Sequence, residues 1–194
     1  MVRAFEETVT AGVAGQRVYL RPVTASDANE RYLSWLLDEE VTRYLELGYR
    51  ENTLETLRDD IRRFNSDPGR IFRAIIAVEG DLHIGNIKIE RIDKVHRFGE
   101  LGLMIGDKRF WRRGYGTEAI RLMCNLAFEE YGLRRVTATY FADNVASQLA
   151  FQRLGFQVEG VYKGHRWSRH IKQWVDEFHV ALVNPQAGMS LPRG

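Results

Sequence analysis

The stretch FWRRGYGTEA at residues 110–119 decides how this chain is interpreted. Gly114 and Gly116 lie one residue apart, two arginines precede them, and a helical pattern of apolar residues follows directly. Glycine permits a tight turn and places no Cβ in the way of a ligand. The first N–H groups of a helix lack partners and carry partial positive charge. The stretch therefore predicts a binding site for a phosphate or pyrophosphate group at a helix start.

The sequence on both sides of this loop predicts alternating strands and helices. Apolar alternation and β-prone residues predict strands at 17–23, 72–78, 83–89, 100–105 and 136–141, with two more between 156 and 183. Capping residues and helical spacing predict helices that begin near Ser26 or Asp27, at Thr53, after Gly116 and at Asp143 or Asn144. This order predicts an α+β (mixed α/β) fold, in which helices cover a twisted sheet of about seven strands.

The chain contains no internal repeat and no low-complexity linker. Its ends are rich in small residues, glycine and proline. We therefore expect a flexible segment at 1–15, a single domain at 16–184 and a flexible tail at 185–194. With 194 residues, 44% hydrophobic and 28% charged, the chain is long enough and apolar enough for one globular core.

Composition argues against several classes of protein. No apolar run approaches the roughly 18 residues of a membrane span, and the first residues lack the apolar core of a secretory signal. The single cysteine, Cys124, excludes an internal disulfide framework. A net charge of +2 is too small to indicate nucleic-acid binding. We expect a cytoplasmic protein with no membrane or nucleic-acid partner; a homodimer stays open.

Metal chemistry is not expected either. The five histidines have no ligand spacing such as HxxxH, and Cys124 has no partner cysteine. Each histidine is expected to be a surface or packing residue, and Cys124 a small buried apolar group.

Three segments together resemble a known family. They are GELGLMI at 99–105, WRRGYGTEA at 111–119 and DNVASQLAFQRLGF at 143–156. In this order they resemble the GCN5-related N-acetyltransferases (GNAT), in particular the branch that includes the ribosomal-protein alanine acetyltransferases. The resemblance covers residues 18–182. It departs from the family's usual loop at Trp111, where Gln or Arg is more common.

The resemblance implies that acetyl-CoA is the co-substrate. Loop N–H groups would bind its pyrophosphate, a splayed strand would pair with its pantetheine amides, and a later helix would face its thiol. Carried over to this sequence, the cofactor-binding residues are Arg112, Arg113, Gly114, Tyr115, Gly116 and Thr117 in the loop, Leu103, Met104 and Ile105 on the strand, and Asn144 on the later helix. The alternative role of Asn144 is to cap that helix, and one side chain could do both.

The resemblance also supplies catalytic candidates. Glu100 lies on the strand that carries the family's glutamate and is predicted to be the base, acting through water; its alternative role is a surface carboxylate paired with an arginine. Ser147 is predicted to be the hydrogen-bond partner of the thiol or the acid, or else to be a small residue of the capping turn. Many members have a tyrosine acid where this chain has Phe151. Weaker candidates for proton transfer are Glu159, Tyr162 and Tyr140.

The implied reaction is transfer of an acetyl group from acetyl-CoA to a primary amine. The amine is a protein N-terminus or a small molecule, and residues 26–52 are expected to form one wall of its site. Residues 32–45 also resemble N-acetyltransferases that act on nucleotide-linked amino sugars. A different class, a non-catalytic acyl-CoA sensor, is the second alternative, because the family's tyrosine is missing.

Overall fold

The computed structural model describes residues 13–186, which form one mixed sheet covered by helices on both faces. Its strands are β1 (Val13–Ala14), β2 (Val18–Pro22), β3 (Ile71–Ala77), β4 (Leu82–Asp93), β5 (Phe98–Ile105), β6 (Arg135–Phe141), β7 (Gln157–Ser168) and β8 (Gln173–Val183). They lie in the order β1-β2-β3-β4-β5-β6-β8-β7. Neighbours are antiparallel except β5 and β6, which are parallel. The predicted fold class is therefore confirmed, with eight strands instead of about seven.

The helices are α1 (Glu30–Leu37), α2 (Glu39–Thr42), α3 (Leu54–Ser66), α4 (Tyr115–Glu129) and α5 (Val145–Arg153). Thr53 caps α3 as expected, since its hydroxyl accepts the Thr56 N–H at 3.1 Å. Gly132, at φ +64°, follows the end of α4 in the left-handed conformation.

The start of α1 differs from the sequence prediction. Neither Ser26 nor Asp27 caps it; Asn29 does, by accepting the Tyr32 N–H at 3.1 Å. The carboxylate of Asp27 is bound instead by the guanidinium of Arg21, at 2.7 Å and 2.8 Å. The same carboxylate also accepts the Thr24 N–H at 2.7 Å, so Asp27 belongs to the capping box of a short 3₁₀ turn that precedes the helix.

Two apolar clusters hold the sheet from opposite sides. On one face, α4 and α5 bury residues such as Ile120, Met123 and Phe151 against all the central strands. On the other face, α1, α2 and α3 cover β3 and the end of β5 with residues that include Trp35 and Ile61. Burial of each such side chain contributes about 1.5–3 kcal/mol before entropy is counted. The second face is left uncovered by helices over β6, β7 and β8.

The ends of the expected domain are only partly described. Val13–Ala14, expected in the flexible segment 1–15, forms β1 and pairs with Tyr19 and Leu20 of β2. The rest of that segment, residues 1–12, and residues 187–194 of the expected tail lie outside the described residues. Among the helices that are described, none is long and apolar enough to cross a membrane.

Candidate active site

The sheet opens between its two parallel strands. β5 and β6 pair over only three residues each, ending at Glu100 opposite Thr137. Beyond that point β5 stays paired with β4, and β6 with β8. The space between residues 101–105 and residues 138–141, called the cleft below, therefore has main-chain edges that are not paired with each other. Such edges can bind an extended, amide-containing ligand as an added strand would be bound.

The start of α4 lies directly after β5 and presents free amides. The loop takes two left-handed residues, Arg112 at φ +58° and Gly114 at φ +84°. The first main-chain bond of the helix runs from the Glu118 N–H to the Gly114 carbonyl, at 3.0 Å. The amides of residues 115–117 precede that bond and have no acceptor within the helix. Together with the helix dipole they favour an anion, as the sequence predicts.

Three arginines that the sequence did not single out surround this helix start. Arg17 before β2, Arg121 on α4 and Arg153 at the end of α5 line a shallow cavity of about 320 Å³ next to Thr117. Arg17 and Arg121 also lie 3.4 Å and 3.9 Å from the carboxylate of Glu118. In the sequence, only Arg121 could have been linked to this site, because it lies four residues after Thr117 on the same helix. Arg17 and Arg153 are brought here by the fold.

Glu118 keeps a negative charge beneath these arginines. Burial raises the pKa of its carboxyl, but hydrogen bonds from the amides of Arg17 and Gln16 outweigh burial, so its pKa is below the ordinary value. The carboxylate thereby joins the start of β2 to α4 and holds Arg17 near the anion-binding amides.

The arginines of the loop have different partners. Arg109 is bound to the carboxylate of Asp107, with Nη2 at 2.6 Å from Oδ2, and Arg31 contacts the same oxygen at 2.9 Å. These bonds, first of all the one from Arg109, lower the pKa of Asp107 to about 2. The guanidinium of Arg113 lies 5.6 Å from the ring centre of Tyr115, a cation–π contact.

The predicted cofactor-binding residues of β5 present main chain, not side chains, to the cleft. Leu103 and Ile105 pack into the cluster beneath α4, and a Cβ added to Gly116 would lie 3.4 Å from Leu103 and 3.6 Å from Ile105. Met104 is buried on the opposite face. The side chain of Tyr115 is also core, 5% exposed. At these positions the main chain is left as the group that can bind a ligand.

Asn144 and Ser147 begin α5 as a capping pair. The Asn144 side chain accepts the Ser147 N–H at 3.2 Å, so the capping role of Asn144 is confirmed. Ser147 is half-buried. The pair follows β6 on the side of the cleft that lies across from β5.

The second face of the sheet carries a cavity of about 370 Å³, called the sheet cavity below. Its wall includes Glu100 and Thr137 at the base of the cleft, and Tyr162, Glu177 and His179 from β7 and β8. Glu100 lies there as an ion pair, with Oε2 at 2.6 Å from Arg91 Nη1. Glu100 therefore lies at the base of the cleft and makes the arginine pair that its alternative role expects, while its predicted role as the base stays a prediction.

The weaker proton-transfer candidates separate into two groups. Glu159 and Tyr162 line the sheet cavity. Tyr140 instead stacks on Phe178 at a centroid distance of 5.1 Å beneath the helices, and burial raises the pKa of its hydroxyl. Tyr140 is therefore a packing residue.

Residues 26–52, which are expected to form one wall of the amine site, are hydrogen-bonded to the hairpin of β7 and β8. Arg169, between β7 and β8, donates to the carbonyls of Gly48 and Thr42 at 2.7 Å and 2.8 Å. These bonds join the segment to the hairpin whose strands also line the sheet cavity.

Residues 13–186 contain no group of three or more potential metal ligands. His83 is a packing residue as expected; burial against Trp35 and Tyr32 lowers the pKa of its imidazole.

The family comparison covers both the cleft and the glycine-rich helix start. Residues 17–157 match the family model for the acetyltransferase (GNAT) domain, and the chain belongs to this family. It is an acetyltransferase, and the resemblance inferred from its sequence is confirmed.

Individual relatives agree with this assignment. The uncharacterized N-acetyltransferase YoaA of Bacillus subtilis (strain 168) is 31% identical over 154 residues, 78% of this chain and 85% of that protein. The ribosomal-protein-S5-alanine acetyltransferase of Vibrio fischeri has the same fold, with a TM-score of 0.77 at 16% identity over 91% of this chain and 98% of that one. The spermidine N-acetyltransferase of Vibrio cholerae, solved with CoA and spermine, has a TM-score of 0.76 at 14% identity over 87% and 96%.

Proposed function

We propose that this acetyltransferase moves an acetyl group from acetyl-CoA to a primary amine. The observation that supports this is the continuity of the cleft with the free amides of residues 115–117, since β5 leads through one loop into α4. Coenzyme A has the matching order of groups: a diphosphate, then a flexible arm with two amides, then sulfur. A diphosphate at the helix start would let the arm lie along β5.

The residues predicted for acetyl-CoA are proposed in these roles. Main-chain groups of Leu103, Met104 and Ile105 would pair with the arm, and the amides from Arg112 to Thr117 would bind the diphosphate. The cluster of Arg17, Arg121 and Arg153 adds positive charge for the phosphates. Asn144 keeps its free amide group for the arm while its oxygen caps α5.

Ser147 is proposed to donate a hydrogen bond to the sulfur, which weakens the charge on the departing thiolate. We expect Ser147→Ala to lower kcat about tenfold or more while the Kd for acetyl-CoA changes little. Initial rates and titration calorimetry measure the two quantities. A change in affinity with no change in kcat would contradict this role.

The acceptor is a protein N-terminus or a small-molecule amine. Fold relatives of both kinds are known, because one acts on the alanine of a ribosomal protein and the other on spermidine. A nucleotide-linked amino sugar is the alternative acceptor. The wall at residues 26–52 and the sheet cavity lie on the face from which such an amine would approach the cleft.

Calorimetry with acetyl-CoA, followed by thiol release against an alanine-initiated peptide, spermidine, free amino acids and an amino-sugar nucleotide, tests the proposal. Binding with turnover on one class of amine supports it and identifies the acceptor. Binding without turnover on every amine indicates the acyl-CoA sensor instead. The absence of both heat and a rise in melting temperature contradicts the proposal as a whole.

A further inference from the structure

Every carboxylate on the wall of the sheet cavity is already paired with an arginine. The three ion pairs are Glu100 with Arg91, Glu159 with Arg135 and Glu177 with Arg166. At neutral pH an acceptor amine is present as an ammonium ion. It has to lose a proton before its nitrogen can attack the thioester. Among the described residues of the wall, the side chains left to accept that proton are the imidazoles of His165 and His179.

A buried carboxylate lies beside His179. Glu177 is 2% exposed; Arg166 Nε lies 2.8 Å from its Oε1, while His179 Nε2 and His165 Nε2 lie 3.3 Å and 3.5 Å from its Oε2. The ring of Tyr162 packs on the imidazole at a centroid distance of 4.1 Å. Nε2 is buried and makes no hydrogen bond, but the negative charge of Oε2 nearby favours the tautomer with its proton on Nε2, which leaves Nδ1 as the acceptor.

His179 is also the better placed of the two histidines. It pairs with Thr139 of β6, two residues beyond Thr137, where the pairing of β5 with β6 ends. It therefore lies one strand from the base of the cleft. His165 lies on β7, the edge strand, within an irregular part of its register with β8.

We propose that His179 is the general base of this enzyme and that Glu177 positions it. This inference rests on the proposed function. One N–H proton of the ammonium passes to Nδ1, and the freed lone pair attacks the thioester carbonyl carbon. The C–N bond forms and the C–S bond breaks; the sulfur leaves as thiolate and takes the second proton that the nitrogen gives up. The imidazolium then releases its proton to water.

An imidazole suits this step because its ordinary pKa of about 6.5 is closer to neutral pH than that of a carboxyl, about 4.3. The charges around the ring belong to several elements. His179 is faced by Glu177 on its own strand and by Tyr162, His165 and Arg166 on β7, while the pairs Arg91–Glu100 and Arg135–Glu159 complete the wall.

The test compares His179→Gln with wild type on the best amine of the panel above. We expect kcat/KM to fall by a factor on the order of 10²–10⁴, its rise with pH to flatten, and the calorimetric Kd for acetyl-CoA to stay the same. Added imidazole should restore activity to His179→Ala. His96→Gln is the matched control, because His96 is exposed in the turn between β4 and β5.

Two results would overturn the inference: wild-type kcat/KM and pH profile in His179→Gln, or loss of the pH dependence in Glu100→Gln alone. If the His179 variants fail to fold, ¹⁵N-histidine NMR of the CoA-bound wild type decides, since an unchanged His179 signal on addition of amine contradicts the role. Absence of turnover in wild type contradicts the proposed function itself, and is thus distinguished from failure of His179 alone.

Discussion

Two glycines of this chain share a backbone conformation but differ in what surrounds them. Gly114 at φ +84° begins α4, and Gly132 at φ +64° follows its end. An added Cβ would meet nothing within 4 Å at Gly132, and at Gly114 it would meet only the guanidinium of Arg17, at 4.0 Å. A larger residue therefore costs about 1–2 kcal/mol of backbone strain at either position. Only Gly114 lies beside the anion-binding amides.

We expect Gly114→Glu to weaken acetyl-CoA binding by about 100-fold or more, because it places a negative charge against the phosphates. Gly132→Glu has the same strain and the same charge, and should leave the affinity unchanged. Titration calorimetry of both variants measures the difference. Equal affinities in the two variants would show that the helix start does not bind the phosphates.

Asp107 gives a residue-scale prediction about pH. Its pKa is lowered from about 3.8 to about 2 by Arg109, its main-chain amide and Arg31, so the folded state favours the charged carboxylate. The shift corresponds to at most about 2.4 kcal/mol, and solvent around the exposed Arg109 reduces this to about 1–2 kcal/mol. This stability is present above pH 4 and is lost as the pH falls to 2.

Asp107→Asn should therefore be less stable than wild type by about 1–2 kcal/mol at pH 7, with a difference that shrinks as pH falls from 4 to 2. Urea unfolding at several pH values measures it. A difference that stayed constant over this range would mean that packing, not charge, stabilises the loop before α4.

At this scale the sequence predicts local chemistry well. The tight turn at Gly114 and the cap at Asn144 each depend on neighbours within a few residues. The cluster of Arg17, Arg121 and Arg153 and the contact between Glu177 and His179 were not predicted. Their partners come from separate elements, and the sequence does not reveal which faces the sheet brings together.

At the scale of elements, the hairpin of β7 and β8 supports the segment in front of the sheet cavity. Arg169 holds that segment through the carbonyls of Gly48 and Thr42, and Tyr49 adds a hydrogen bond to the Trp167 carbonyl at 2.9 Å. Bonds from a charged donor contribute about 1.5–3 kcal/mol each. The wall thus keeps its position through contacts remote from the acetyl-CoA residues.

Arg169→Ala should raise the KM for the amine about tenfold, because residues 26–52 lose their hydrogen bonds to this side chain. The Kd for acetyl-CoA should stay as in wild type. Steady-state kinetics with the acceptor varied and calorimetry measure the two effects. Arg62→Ala, which removes an exposed arginine from α3, is the control. A parallel loss of acetyl-CoA affinity would show that the hairpin supports the whole fold instead of the wall.

Element order was predictable because each helix and strand carries its own periodicity, whereas some boundaries were not. The start of α1 moved to Asn29 because Arg21 on β2 and the Thr24 N–H bind the carboxylate of Asp27. The two-residue β1 exists only through its pairing with β2. Such features depend on tertiary contacts.

At the scale of the whole molecule, one sheet separates two tasks. The face under α4 and α5 leads to the anion-binding helix start, and the opposite face carries the sheet cavity. The two faces are connected where β5 separates from β6. A donor held from one side and an acceptor from the other can thus meet without either crossing the core.

The buried position of Cys124 on α4 determines how the enzyme can be assayed. Burial raises the pKa of this thiol to about 12, so almost no thiolate, the reactive species, exists at the pH of an assay. We expect the native protein not to react with a disulfide reagent such as Ellman's. The denatured protein should react with one equivalent. The colour that develops during turnover would then count product alone, free of background from the protein.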